Sequence, residues 1–176
     1  MNAPNLVTIT RILMVPLFVV LGYGKSAAAA TAAFAVFLVA SLSDSLDGYL
    51  ARRGNLESRF GAFLDPLADK LLVGAALFVL VDTRAFPWWA AAIVAVREVA
   101  VQVLRTRIVN GGGTLPASRR AKEKTFLQVL MVCWWLWPWD DVTLAHGAIT
   151  AITLVWTVWT GAEYFAARRD VEERVA

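Results

Sequence analysis

"SDSLDGYLARRGNLESRFGAFLDPLADK", residues 43–70, carries four aspartates, Asp44, Asp47, Asp65 and Asp69, between two of the most apolar runs in the chain. Asp44 and Asp47 are three apart and Asp65 and Asp69 four apart, so each pair occupies one face of a helix. Two apolar spans joined by the short segment 52–59 form a hairpin, which sets the pairs opposite one another. Asp44 lies eight residues before Arg52, roughly 12 Å at helical rise, and Asp69 ten after Arg59, roughly 15 Å. Four carboxylates are thus expected at similar depth in one pocket.

The surroundings make that arrangement costly. Hydrophobic residues form 59% of the 176-residue chain and mean hydropathy is +0.59, against roughly 45–50% apolar content in soluble domains. Membrane insertion is the economical reading. Apolar runs at about 8–23, 27–50, 60–81, 86–104, 125–139 and 143–167 predict six transmembrane helices in one domain, residues 1–176. The N-terminal run lacks a basic leader and a small-residue cleavage site, so it reads as a retained first span.

Arginine and lysine orient the spans. Arg52, Arg53 and Arg59 follow span two; Arg105, Arg107, Arg119, Arg120, Lys122 and Lys124 follow span four; Arg168, Arg169 and Arg174 follow span six. The opposite connections hold only Lys25 and Arg84, which places both termini in the cytoplasm. Trp88, Trp89, Trp137 and Trp139 fall at the expected outer boundary, as an aromatic belt would. The polar stretch at about 106–121, with its glycines and Pro116, reads as a cytoplasmic loop. Cys133 is the lone cysteine and His146 the lone histidine, so neither a disulfide nor a zinc site is expected within the chain.

Unpaired ionised carboxylates are expensive to bury, and four together repel. One or two divalent cations would resolve the conflict, and oxygen-only ligands favour magnesium or manganese over zinc. Two alternatives stand beside this at the level of the residues. The aspartates could pair with Arg52, Arg53, Arg59 and Lys70, or they could serve proton or cation transport. A transporter predicts broken helices in repeated halves, whereas this chain has one carboxylate-bearing hairpin and no repeat.

The spacing is more specific. Asp44, Asp47-Gly48, Ala51-Arg52, Gly61, Asp65 and Asp69 reproduce the eight-position signature of the CDP-alcohol phosphatidyltransferase family, which the chain resembles. "PNLVTITR" at residues 4–11, "FGAFLDPLADKLLV" at 60–73, "REVAVQVLR" at 97–105 and "KEKT" at 122–125 are similar to the branch whose acceptor is glycerol 3-phosphate, although Ala121 stands where that branch has glycine. The resemblance implies an integral protein of the inner, cytoplasmic membrane, usually a homodimer. Its polar cavity and active site would face the cytoplasm, with no nucleic-acid partner. It implies two divalent cations, Mg2+ or Mn2+, and transfer of a phosphatidyl group from CDP-diacylglycerol to glycerol 3-phosphate. Inositol phosphate, serine and phosphatidylglycerol are the alternative acceptors.

Residue roles follow from the same resemblance. Asp44, Asp47, Asp65 and Asp69 would hold the metals, and Asp69 would also serve as general base or act mainly as a ligand. Asn5, Thr8, Arg11, Gly48, Ala51, Arg52, Arg59 and Gly61 would bind the donor. Gly48 and Ala51 keep one face small enough for a nucleotide to approach the backbone, although close helix packing has the same requirement. A second cationic site would take the acceptor's phosphate: Arg97, Arg105, Lys122, Lys124, Thr125 and Arg168. Arg97 lies roughly 12 Å into the membrane from Arg105 at helical rise, matching the aspartates. Its neighbour Glu98 could pair with or orient a basic group there. For Arg119 and Arg120 the competing reading is a patch for lipid headgroups.

Overall fold

The structure, a computed structural model, describes residues 3–54, 59–110, 119–139 and 141–175; the side chains of 3–8, 44–54, 59–67, 69, 110, 119, 121 and 168–175 lie outside that description. The described residues form six α-helices and no strand: α1 (Ala3–Gly22), α2 (Ala27–Gly54), α3 (Arg59–Thr83), α4 (Trp88–Asn110), α5 (Arg119–Leu136) and α6 (Leu144–Val175). The all-α expectation and the order of helices hold. Among the described residues one helix segment, Leu144–Ala167, is long and apolar enough to cross a membrane; Ile9–Gly22 and Ala27–Ser43 are shorter apolar segments.

The helices outrun the apolar runs at their charged ends. α5 starts at Arg119 rather than near 125, and α6 continues to Val175. The expected loop at 106–121 is shorter than predicted, because residues 106–110 and 119–121 are helical and only 111–118 lie outside the description. Ile108 explains the first extension: it is buried beside Leu104 and Tyr164, so packing carries α4 past the apolar run.

Two compact units divide the chain: Met1–Phe86 with Val132–Asp140, and Pro87–Met131 with Asp141–Ala176. In the first, α1 packs on both α2 and α3, which also meet each other. Alanines at 30, 33, 40, 68 and 76 are fully or almost fully buried, and Phe18 meets Phe37 with ring centroids 5.8 Å apart. Small residues let the backbones approach closely. A Cβ on Gly22 would lie 2.6 Å from Val79 Cγ1, so α1 and α3 meet there only because the position is glycine.

Turn chemistry fixes the ends of this unit. Ser26 caps α2 by accepting the Ala29 N–H at 3.1 Å. α3 ends with the Phe86 N–H on the Leu80 carbonyl, 3.2 Å away, and with Ala85 at φ 54°. Alanine thus occupies the left-handed position that glycine usually fills after a helix, and the closing bond reaches one residue further back than in a Schellman motif. Phe86 is buried and meets Trp135 edge-on at 5.1 Å.

In the second unit α4 packs on α6. Thr143 caps α6 reciprocally: the His146 N–H donates to the Thr143 carbonyl at 3.0 Å, and the Thr143 N–H donates to His146 Nδ1 at 3.1 Å. The lone histidine therefore serves as a helix cap, in the place a capping box usually gives to Glu or Gln. Across the surface of both units, Leu13, Leu17, Val20, Phe78, Val96, Val155 and Val158 are at least half exposed. Trp88, Trp89, Trp137 and Trp139 are exposed as well.

Candidate active site

The aspartates lie on a register set by packing. Buried residues of α2 fall at Ala30, Ala33, Phe37 and Ala40, alternating three and four apart. Continued along the described helix, the same alternation reaches 44, 47 and 51, the positions of Asp44, Asp47 and Ala51. On α3 the buried series runs back through Val79, Ala76, Leu72 and Ala68, and its extension reaches Asp65 and Gly61. Asp69 stands three before Leu72 on the same face. Along each helix the stripe stays apolar for about three turns before the register reaches the aspartate positions. The side chains of Asp44, Asp47, Gly48, Ala51, Arg52, Arg59, Gly61, Asp65 and Asp69 lie outside the described residues, as do those of Asn5 and Thr8.

Arg11 is described. It belongs to α1, the helix packed on both α2 and α3, and is 2% exposed. A buried cation on the helix that touches both carboxylate-bearing helices suits a site for anionic groups. As hard oxygen donors, four carboxylates suit magnesium or manganese by their chemistry.

In the second unit the structure brings together two of the six expected acceptor residues. Arg97 on α4 and Lys124 on α5 both donate to Oε1 of Glu98, Arg97 Nη1 at 3.1 Å. Their side chains are 11% and 5% exposed, that of Glu98 23%. Two cations sharing one carboxylate leave a net positive, half-closed cluster. Arg97 Nη2 also donates to Thr160 Oγ1 on α6 at 3.1 Å, and its guanidinium carbon sits 6.0 Å from the centroid of the Tyr164 ring. Clustered cationic donors of this kind suit an anion such as a phosphate.

The other expected acceptor residues stand elsewhere. Arg105 and Lys122 are exposed, and Thr125 is exposed on α5. The Arg168 side chain lies outside the described residues. Arg120 pairs with Glu163 across α5 and α6, and Glu163 also accepts from Trp159 Nε1 at 3.2 Å.

Sequence reasoning missed the α6 side of the cluster. Thr150, Thr153, Thr157 and Thr160 are all buried, at a 3-4-3 spacing that marks one helix face. Three of these hydroxyls donate to carbonyls four residues back, at 2.7–2.8 Å. The Thr157 hydroxyl has no hydrogen-bond partner among the described residues. The signal was present: a threonine stripe inside an apolar helix, with Gly161 beside it.

Comparison with known proteins agrees over nearly the whole length. A family profile described as CDP-alcohol phosphatidyltransferase matches residues 1–159. A probable phosphatidylglycerophosphate synthase of Mycobacterium tuberculosis is 38% identical over 97% of this chain and 83% of its own length. The CDP-diacylglycerol–glycerol-3-phosphate 3-phosphatidyltransferases of Salmonella typhimurium and Escherichia coli are 38% identical over 96% of this chain and 95% of theirs.

Proposed function

Because this chain belongs to the CDP-alcohol phosphatidyltransferase family, we propose that it transfers a phosphatidyl group from CDP-diacylglycerol to glycerol 3-phosphate, releasing CMP and phosphatidylglycerophosphate. The observation that carries the reading is the switch from buried apolar residues to the signature aspartates along single faces of α2 and α3. The relatives' names supply the acceptor.

Asp44, Asp47, Asp65 and Asp69 would hold two divalent cations, Mg2+ or Mn2+. When bound, the metals neutralise the donor's diphosphate. Gly48 and Ala51 leave room for the nucleotide beside the backbone, and Arg11 and Arg52 contribute guanidinium donors to its phosphates. Asp69 takes the proton of the acceptor hydroxyl as its oxygen bonds to the lipid-side phosphorus, and the bond from that phosphorus to the CMP oxygen breaks. Arg97 and Lys124, held on Glu98, bind the acceptor's phosphate.

In this reading the chain is a single domain of the inner membrane with its termini and site cytoplasmic, and it functions as a homodimer. Its exposed apolar side chains and tryptophans support a lipid environment. The deciding experiment follows CMP release by purified protein with CDP-diacylglycerol and a panel of acceptors. Release with glycerol 3-phosphate alone supports the proposal. Preference for inositol phosphate, serine or phosphatidylglycerol keeps the family and overturns the acceptor.

A further inference from the structure

The geometry points to Thr160 of α6 as a positioning residue that, with the gap left by Gly161, fixes the Arg97 guanidinium for the acceptor. This rests on the reading that Arg97 and Lys124 bind the acceptor's phosphate. Thr160 is fully buried, so water does not compete for its hydroxyl. Its single proton is committed to its own helix, on the Trp156 carbonyl at 2.8 Å, with the Thr157 carbonyl at 3.2 Å. What remains is lone-pair density, presented to Arg97 Nη2 at 3.1 Å. Thr160 is therefore bound to act as an acceptor toward Arg97.

Gly161 completes the seat. A Cβ there would lie 3.3 Å from Arg97 Cγ, so the arginine's stem would have to give by a few tenths of an ångström. Glu98 holds Nη1 from the arginine's own helix, and the Tyr164 ring lies 6.0 Å from the guanidinium carbon. These contacts fix the planar head, yet Nε–H is buried without a hydrogen-bond partner among the described residues. An arginine seated for its own hydrogen bonding would satisfy that donor first. The side chain is held at the expense of one bond, as expected where orientation toward a ligand matters more than internal satisfaction.

The test compares Michaelis constants for the two substrates. Thr160→Val keeps the shape and removes the acceptor; it should raise KM for glycerol 3-phosphate about tenfold, the low end for losing a charge-assisted hydrogen bond. KM for CDP-diacylglycerol should stay unchanged, and Thr160→Ser should restore the wild-type value. In an Arg97→Ala background, Thr160→Val should add nothing. If Thr160→Val does not fold, Gly161→Ala asks the same question by shifting Arg97 in its seat. Equal changes in both Michaelis constants, or failure of serine to rescue, would assign Thr160 a purely structural role and overturn the inference. If Arg97→Ala itself leaves KM for glycerol 3-phosphate unchanged, the acceptor-site reading fails and takes this inference with it. If Arg97→Ala raises that constant while folded Thr160→Val and Gly161→Ala do not, only the positioning role is lost.

Discussion

The α2–α3 hairpin and the Arg97–Glu98–Lys124 cluster carry their chemistry in opposite ways. The hairpin states it in residue type and spacing: aspartates stand at the positions reached by continuing the buried apolar register. The cluster states it in contacts, with a carboxylate on α4 gathering cations from α4 and α5 and a threonine from α6 holding one of them. Positions 44–69 are bound to two helices and can be read along one stretch of chain. Arg97 and Thr160 stand 63 positions apart, with Glu98 and Lys124 between them, and are joined only by folding. In the proposed reading, spacing points to the reaction centre and tertiary contact to what orients a substrate.

Variants of the hairpin should give the largest effects. Asp69→Asn keeps shape but cannot accept a proton, so turnover should fall by at least about a hundredfold while CDP-diacylglycerol binding stays measurable. Asp65→Asn should weaken metal-dependent donor binding as well. Chelation of divalent cations should abolish activity, and magnesium or manganese should restore it. Full turnover in a strong chelator would remove the metal from the mechanism and leave the aspartates without a reason to be four.

Variants of the cluster should be milder and selective. Lys124→Ala loses a buried cation and should raise KM for glycerol 3-phosphate roughly ten- to hundred-fold, with little change for CDP-diacylglycerol. Glu98→Gln removes the charge that holds two cations together and should act on the same constant. It should also lower stability, since a part-buried cation left without its partner costs about 1–3 kcal/mol. Equal damage to both substrates' constants would erase the division of labour between hairpin and cluster.

How much was legible follows the same line. The helix order could be read from apolar runs, and Glu98 could be suspected as a partner for a buried base. Helix ends could not, because hydropathy reports where apolar neighbours stop, whereas Arg119–Lys124 stay helical through backbone hydrogen bonds and packing. Thr160 escaped because threonines in an apolar helix satisfy themselves on carbonyls four residues back and leave hydropathy high. Of the expected cations, only burial separates Lys124 from its exposed neighbour Lys122.

Gly22→Ala tests the scaffold beneath the hairpin. The added methyl meets Val79 Cγ1 at 2.6 Å, inside any real contact, so the Val79 side chain or the α1 backbone must shift. Overpacking of this kind costs about 1–3 kcal/mol, to be read as a lower midpoint of thermal unfolding in detergent. Because α1 also carries Arg11, KM for CDP-diacylglycerol should rise before that for glycerol 3-phosphate. The reverse order would mean that α1 serves the acceptor.

The smallest effect is expected at the opposite end of α3 from Asp65. Ala85 holds φ at 54°, a conformation that places its Cβ against the following carbonyl. Glycine removes that strain, which is about 1–2 kcal/mol for an ordinary residue. It also loosens the unfolded chain, giving back about 0.4–1 kcal/mol. Ala85→Gly should therefore stabilise the protein by roughly 0.5–1 kcal/mol, a rise of about 1–4 °C in the unfolding midpoint for a chain of this size. Ala85→Val, branched at Cβ, should shift it the other way. Neither change touches the aspartates or the cation cluster, so both Michaelis constants should hold in Ala85→Gly. A stabilised variant with an altered constant for CDP-diacylglycerol would show that the end of α3 transmits strain to the hairpin, and the scaffold and the reaction centre could no longer be treated as separable.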